Sequence, residues 1–296
     1  MMEEQVVREI SALNQRGGRM LSAIDLLLAG TIDLRLAAYL MEAVRKGASV
    51  LCCAGPGGTG KTTLMGALLC FVPSTGVIKV VEKPEPPSWY EEQSDPTVPT
   101  WFLCHELGPG PWYSYLWGEG ARTFLSMAED NRFCATTVHA DNLGELRRLL
   151  QGPEIALAPA DFAKLDLILF IKAIRGQGLA RWHRRVTLAY VSTGDSRSSH
   201  RSICRWDPTT DKFIWELDAE PLPSVTQATK PSSKQWLTPW TMRQQKANGA
   251  QSEPPWQPYY VFLQQLKEKR IVNLVDVRQE VVRFYRANPL EPNPRL

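Results

Sequence analysis

The sequence has no apolar run approaching the length of about 20 residues that spans a bilayer. Its first residues, Met1-Met2-Glu3-Glu4, are acidic, whereas a secretory signal begins with basic residues. The net charge of +3 over 296 residues is too small to indicate nucleic-acid binding by electrostatics alone. The chain also has no internal repeat and no low-complexity tract. These absences favour a cytoplasmic, globular protein.

Disulfides and a zinc site are not expected either. The 6 cysteines form no CxxC pair, and most of them lie in apolar, strand-like runs. This distribution predicts buried, reduced thiols. The cysteines are Cys52, Cys53, Cys70, Cys104, Cys134 and Cys204.

The composition fits a folded domain, since 44% of the residues are apolar and 296 residues can bury a full core. We expect a short helical N-terminal segment over residues 1–45 and an α/β domain over residues 46–218. Residues 219–257 are rich in Pro, Ser, Gln and Lys and predict a linker or a loosely packed excursion. A small helical tail is expected over residues 258–296.

The middle of the chain alternates short apolar runs with helical stretches, which is typical of a mostly parallel sheet flanked by helices. A hairpin is predicted over Ser202–Leu217. Apolar residues at helical spacing predict a helix around Val6–Leu13 and two short helices within Tyr260–Tyr285. The predicted strands are Ser49–Ala54, Gly76–Val81, Thr100–His105, Phe133–Val138, Asp166–Lys172 and Arg185–Ser192.

A glycine-rich segment between the first strand and a helix fits the pattern GxxxxGK[ST]. Glycines allow a loop to turn its backbone N–H groups toward phosphate, and the following helix presents its positive end there. Lys61 is predicted to neutralise phosphate charge, and the Thr62 hydroxyl to hold Mg²⁺. The sequence therefore predicts ATP and Mg²⁺ as ligands. The predicted nucleotide-binding residues are Gly55, Pro56, Gly57, Gly58, Thr59, Gly60, Lys61, Thr62 and Thr63.

Two glutamates follow apolar runs directly. Glu106 ends the run Trp101–His105, and Glu82 ends the run Val77–Val81. Ligands of open α/β sheets bind where strands end, and a P-loop ATPase needs an acid there to hold Mg²⁺ or to polarise the attacking water. We therefore predict both glutamates as catalytic residues, with Glu106 and Thr62 as the metal ligands. Solvated loop carboxylates are the alternative interpretation.

His139 follows another predicted strand, in the segment Ala135–Asp141. At that position a histidine could sense the terminal phosphate or relay a signal to a neighbouring subunit. The alternative is a hydrogen-bonded histidine that caps the start of a helix. The sequence leaves both interpretations open, and His139 is kept as a third candidate catalytic residue.

Taken together, these segments resemble the type II/type IV secretion ATPase superfamily, which includes pilus motors and archaeal flagellar motor ATPases. In that family a P-loop is followed by an "Asp box" strand ending in glutamate, a Walker B strand ending in glutamate, and a "His box" of the form T-x-H. The likeness covers roughly residues 20–218 and 258–287. The corresponding segments are residues 55–63, 80–85, 102–106 and 137–142.

The resemblance implies a RecA-like P-loop NTPase that hydrolyses ATP as a subunit of a homo-hexameric ring. Hydrolysis would move pilin or secreted cargo, with an inner-membrane platform protein as partner and no direct contact with nucleic acid. The protein would be cytoplasmic and peripheral to the inner face of the cell membrane. Arg122, Arg184 and Arg185 are candidates for an arginine finger that acts on a neighbouring subunit.

The sequence departs from the family pattern at several points. The N-terminal region of about 45 residues is short for the family, and Asn131-Arg132 stands where a histidine normally precedes the final strand. Lys83 replaces an acid of the Asp box, His105 precedes the Walker B glutamate in place of glycine, and an aromatic loop, Leu107–Gly118, follows. These departures keep other classes open: a nucleotide-dependent assembly protein with little hydrolysis, a phosphotransferase, or a DNA translocase of related fold. The aromatic loop itself is either a contact for a partner or packing over the sheet edge.

Overall fold

A computed structural model describes residues 2–14, 17–55, 57–129, 131–175, 182–216, 254 and 256–290. Most of the predicted linker, residues 219–257, lies outside these described residues, and so does Pro56 of the glycine-rich loop. The proposed domain boundaries therefore stay predictions. None of the described helices is both long enough and apolar enough to cross a membrane.

The described residues form a sheet of 10 strands. Eight of them follow in the order β10-β9-β8-β7-β1-β6-β3-β2, and β4 pairs with both β6 and β5. Strands β7, β1, β6, β3 and β2 run parallel, while β8, β9 and β10 continue antiparallel from β7. The strands are β1 (Val50–Cys53), β2 (Val77–Val80), β3 (Thr100–Leu103), β4 (Glu106–Leu107), β5 (Tyr115–Leu116), β6 (Arg132–Val138), β7 (Leu167–Arg175), β8 (Trp182–Ser192), β9 (His200–Asp207) and β10 (Lys212–Trp215).

Helices cover both faces of the sheet, which confirms the predicted α/β class with a mostly parallel central sheet. One face packs against the first four helices and the last two, and the other face packs against α5 to α8. The helices are α1 (Met2–Ala12), α2 (Ala23–Leu28), α3 (Leu34–Arg45), α4 (Lys61–Leu69), α5 (Pro87–Glu92), α6 (Gly118–Ser126), α7 (Leu143–Gln151), α8 (Pro159–Phe162), α9 (Gln257–Glu268) and α10 (Leu274–Ala287).

Strand β1 shows why the central strands are apolar throughout. Val50 and Cys52 pack into the core on one face, and Leu51 and Cys53 pack into the core on the other. Side chains alternate along a strand, so a strand covered on both faces must be apolar at every position. All 6 cysteines are buried and free, as predicted. Burial raises the pKa of Cys104 to about 12, which leaves this thiol protonated and unreactive.

The two ends of the described chain meet beside α4. Arg278 of α10 is buried, donates to the carbonyl oxygen of Cys70 at 3.0 Å, and pairs with the Glu3 carboxylate of α1 at 2.6 Å. Helix α3 begins directly after Asp33, whose carboxylate accepts the Leu36 N–H at 2.7 Å.

The sheet order brings three strand ends together at one edge. Strand β6 lies between β1 and β3, and all three run parallel. The segment that follows β6 must therefore leave the sheet between the loop after β1 and the residues after β3. In open α/β folds this edge, at the carboxyl ends of the strands, is where ligands bind.

His200, which begins β9, is a partly buried histidine outside that edge. Its Nε2 donates to the Leu165 carbonyl at 2.7 Å, and its Nδ1 lies 3.0 Å from the Ser199 hydroxyl. Arg147 donates to the same hydroxyl at 2.7 Å. Burial, assisted by the positive charge of Arg147, lowers the pKa of His200 to about 4 from 6.5.

Because the unfolded chain binds this proton more readily than the folded chain, the free energy of unfolding should fall as the pH drops from 6.5 toward 4. The pKa shift corresponds to a decrease of up to about 3 kcal/mol in the free energy of unfolding. Urea unfolding at about pH 7 and about pH 4.5 measures this loss, which should be smaller in His200→Gln than in the wild type. His183→Gln, at an exposed histidine of β8, is the control. Parallel losses in the wild type and His200→Gln would assign the effect to other groups.

Candidate nucleotide-binding site

The glycine-rich loop lies between β1 and α4, as the motif predicts. Gly58 and Gly60 have φ angles of 79° and 103°, in the left-handed region that favours glycine. Helix α4 begins directly after Gly60, at Lys61. The loop therefore has the sharp turns and the helix N-terminus that bind phosphate in P-loops.

Three of the predicted site residues meet above this loop. The Lys61 side chain is only 6% exposed, and its Nζ lies 3.4 Å from both ring nitrogens of His139 and 3.9 Å from Oε2 of Glu106. The other carboxylate oxygen of Glu106 lies 3.2 Å from Nε2 of His139. Lys61 begins α4, Glu106 follows β3, and His139 follows β6, so the strand order produces this cluster.

His139 is fixed by the loop that it faces. Its Nδ1 lies 2.5 Å from the Gly55 carbonyl oxygen. A carbonyl oxygen only accepts, so Nδ1 donates and Nε2 is the nitrogen turned toward Glu106. The cap of the following helix, α7, is Asn142, which accepts the Glu145 N–H at 2.9 Å. His139 therefore contacts residues of the candidate site, while Asn142 caps α7. The sensing role of His139 stays a prediction.

Glu82 lies at the end of β2, two strands away from β6, and is exposed. Its carboxylate accepts the Tyr113 hydroxyl at 3.2 Å. This hydrogen bond places Glu82 beside the aromatic loop. Its catalytic role stays a prediction. Lys83, next to it, is exposed as well.

The aromatic loop joins the ends of β2 and β3. Ser114 is buried with a φ of 57°, its N–H donates to the Glu82 carbonyl at 3.0 Å, and its own carbonyl accepts the His105 N–H at 2.9 Å. The neighbouring rings of Trp112 and Tyr113 are 65% and 54% exposed. One part of the loop thus packs over the sheet edge while its aromatic tip faces outward.

Two contacts of the loop were not anticipated from the sequence. The Gly55 N–H donates to Oδ1 of Asp141 at 3.0 Å, and Nη2 of Arg184 donates to the Gly58 carbonyl at 3.2 Å. The strand register accounts for the first contact. Cys53 pairs with Val138, so the residues just beyond these two strand ends must lie side by side.

The three candidate arginine fingers differ in their surroundings. Arg185 forms two hydrogen bonds with the Asp211 carboxylate, at 2.8 and 2.9 Å, which lower the pKa of Asp211 to about 2. Arg184 reaches the glycine-rich loop of its own chain, and Arg122 is 3.6 Å from Glu119 on α6. A finger role toward a neighbouring subunit stays a prediction for all three.

The donor set is suited to a magnesium nucleotide. Thr62 and Thr63 stand in the first turn of α4 and are partly exposed, and Glu106 supplies a carboxylate nearby. Hydroxyl and carboxylate oxygens are ligands that Mg²⁺ prefers, usually together with substrate phosphates. Thr62 and Glu106 would hold the ion, which would neutralise charge on the phosphates when bound.

No family model and no curated protein matches the sequence. Among solved structures, the chain is similar to the VirB11 ATPase from the type IV secretion system of Brucella suis, with 19% identity and a TM-score of 0.40 over 59% of this chain and 56% of that one. It is also similar to the ATPase DotB of Legionella pneumophila, with 14% identity and a TM-score of 0.39 over 57% of this chain and 53% of that one. The match spans about half the length of each structure.

Proposed function

We propose that this chain binds ATP with Mg²⁺ and hydrolyses it. The observation that carries the proposal is the cluster of Lys61, Glu106 and His139 beside a glycine-rich loop, with side-chain distances of 3.2 to 3.9 Å. A buried lysine next to a helix N-terminus suits phosphate, and a carboxylate beside it suits the activation of water.

Each residue has a distinct role in this proposal. The N–H groups of the loop and the Lys61 ammonium bind and orient the phosphates. The Glu106 carboxylate orients the attacking water and accepts its proton. His139, whose ring is fixed by the Gly55 carbonyl, lies against both Lys61 and Glu106. It would therefore respond when either partner changes its position, which is the basis for its proposed sensing role.

The larger role that we propose is that of a motor subunit in a secretion or type IV pilus-like machine. The order and spacing of the four boxes in the sequence support it. In this role the chain assembles as a homo-hexamer, works in the cytoplasm at the inner face of the membrane, and couples hydrolysis to movement of pilin or cargo through an inner-membrane platform protein. Direct binding of nucleic acid is not part of the proposal.

One observation favours a second candidate, a nucleotide-dependent assembly protein with little hydrolysis. Glu82, the second candidate catalytic carboxylate, is bonded to the Tyr113 hydroxyl of the aromatic loop, and Lys83 stands exposed beside it. If hydrolysis needs the Glu82 carboxylate, its hydrogen bond with Tyr113 would keep this carboxylate from activating water.

Steady-state ATPase activity with Mg²⁺, measured together with the mass in solution, separates the two candidates. A ring motor with sites shared between subunits should show specific activity that rises with protein concentration and a species near six subunits. The assembly protein should bind ATP tightly and assemble on it with almost no turnover. A chain that neither binds nor hydrolyses ATP would contradict both candidates.

A further inference from the structure

Gly55, the first residue of the glycine-rich loop, is held through both of its backbone polar groups by the segment that follows β6. Its N–H donates to Oδ1 of Asp141 at 3.0 Å, and its carbonyl oxygen accepts from Nδ1 of His139 at 2.5 Å. The sequence motif explains neither contact, because the motif describes the loop alone.

These contacts extend the parallel pairing of β1 and β6 beyond the ends of the strands. The last backbone bond of the pair joins the Ala54 N–H to the Val138 carbonyl at 3.3 Å. One residue further along the chain, the Asp141 carboxylate accepts the next backbone N–H, that of Gly55. The Asp141 N–H is itself bonded to Oε2 of Glu145 at 2.7 Å, which fixes the backbone that carries this carboxylate.

A side chain at position 55 would disturb the same contact. Gly55 is not among the described glycines with positive φ, so its backbone does not require one. A Cβ added at Gly55 would lie 2.6 Å from Cγ of Asp141, well inside van der Waals contact. Any larger residue at position 55 must displace the carboxylate and break its bond to the N–H.

We propose that Asp141 is a positioning residue for phosphate binding, acting through Gly55. Its carboxylate fixes the start of the loop before nucleotide arrives, so that less ordering is needed on binding. The inference rests on the proposed binding of ATP. Since Asp141 acts on the shape of the loop and touches no reacting group in the described contacts, it should affect affinity more than turnover at saturation.

Calorimetric titration of the full chain with Mg²⁺ and a non-hydrolysable ATP analogue tests this role. One lost hydrogen bond predicts that Asp141→Ala raises Kd by about three- to tenfold. Asp141→Asn keeps an acceptor oxygen and should restore Kd to within about twofold of the wild type. Turnover at saturating ATP should change by less than about twofold in Asp141→Ala, as expected for a change in KM rather than kcat. Asp195→Ala is the matched control, since Asp195 accepts the Arg197 N–H at 3.0 Å in an exposed turn far along the sequence.

A double-mutant cycle with Gly55→Ala tests the contact itself. Both single substitutions break the same bond, so Gly55→Ala/Asp141→Ala should bind nucleotide about as well as the weaker single variant. Independent effects would instead multiply to about ten- to hundredfold. Thermal unfolding without nucleotide should show the same lack of additivity, which tests the contact separately from ATP binding.

The outcomes distinguish the inference from the proposed function. If the wild type binds the analogue and Asp141→Ala binds it equally well or better, Asp141 is not a positioning residue. Multiplying effects in the cycle, or weak binding by Asp141→Asn, would overturn the inference as well. If the wild type itself does not bind the analogue, the proposed function fails, while the unfolding cycle still reports on the contact between Gly55 and Asp141.

Discussion

Replacing Lys61 with alanine is expected to abolish measurable ATP turnover and to weaken nucleotide binding by at least about a hundredfold. The Lys61 ammonium is buried beside the glycine-rich loop, 3.9 Å from the Glu106 carboxylate. Without it the phosphates would lose a buried cation and would face an uncompensated carboxylate. ATPase assays and calorimetric titration of the purified variant measure the two losses.

A matched control variant distinguishes the loss of the Lys61 site from the general effect of removing a lysine. Lys164 is 35% exposed and pairs with Asp161 at 3.0 Å on α8, within the face of the sheet covered by α5 to α8. Lys164→Ala should keep wild-type turnover, and thermal unfolding should show that both variants are folded. Wild-type turnover in folded Lys61→Ala would mean that this loop is not the hydrolysis site.

Glu106→Gln should retain nucleotide binding while hydrolysis falls by about a hundredfold to ten-thousandfold. Glutamine has nearly the same size, and its amide N–H can donate to Nε2 of His139, which lies 3.2 Å from the Glu106 carboxylate. It cannot take a proton from water at neutral pH, so the chemical step is lost while the loop stays formed. Single-turnover hydrolysis and the Kd for ATP, measured on the same preparation, report the two properties separately.

Two further glutamate-to-glutamine substitutions test whether the loss of hydrolysis is specific to Glu106. Glu154 accepts the Trp117 indole N–H at 2.6 Å and is exposed, so Glu154→Gln should have no effect on hydrolysis. Glu82→Gln tests the second candidate carboxylate. If hydrolysis stops in Glu82→Gln and persists in Glu106→Gln, the role assigned to Glu106 belongs to Glu82.

The sheet could be predicted because its signal is local. Each of the six predicted strands appears in the structure, and the hairpin over Ser202–Leu217 corresponds to β9 and β10. A strand buried on both faces must be continuously apolar, as in β1, and that pattern is visible in the sequence. The glycine-rich loop was equally visible, since the left-handed φ at Gly58 and Gly60 admits few other residues.

The remaining features of the site depend on which strands become neighbours. The contact between Gly55 and Asp141 joins residues 86 positions apart, and it exists because β6 lies beside β1. Arg184 reaches Gly58 over 126 positions because β8 turns back against β7. Periodicity in the sequence reports burial along one element, and strand order is not encoded in it.

The backbone hydrogen bonds of Ser114 connect the aromatic loop to two strand ends. Its N–H and carbonyl link the end of β2 to the end of β3, and the neighbouring Tyr113 hydroxyl holds the Glu82 carboxylate at 3.2 Å. A molecule that binds the exposed rings of Trp112 and Tyr113 and turns Tyr113 also removes that hydroxyl from Glu82. Binding of such a molecule and the hydrogen bond to Glu82 would then be thermodynamically linked, equally in both directions.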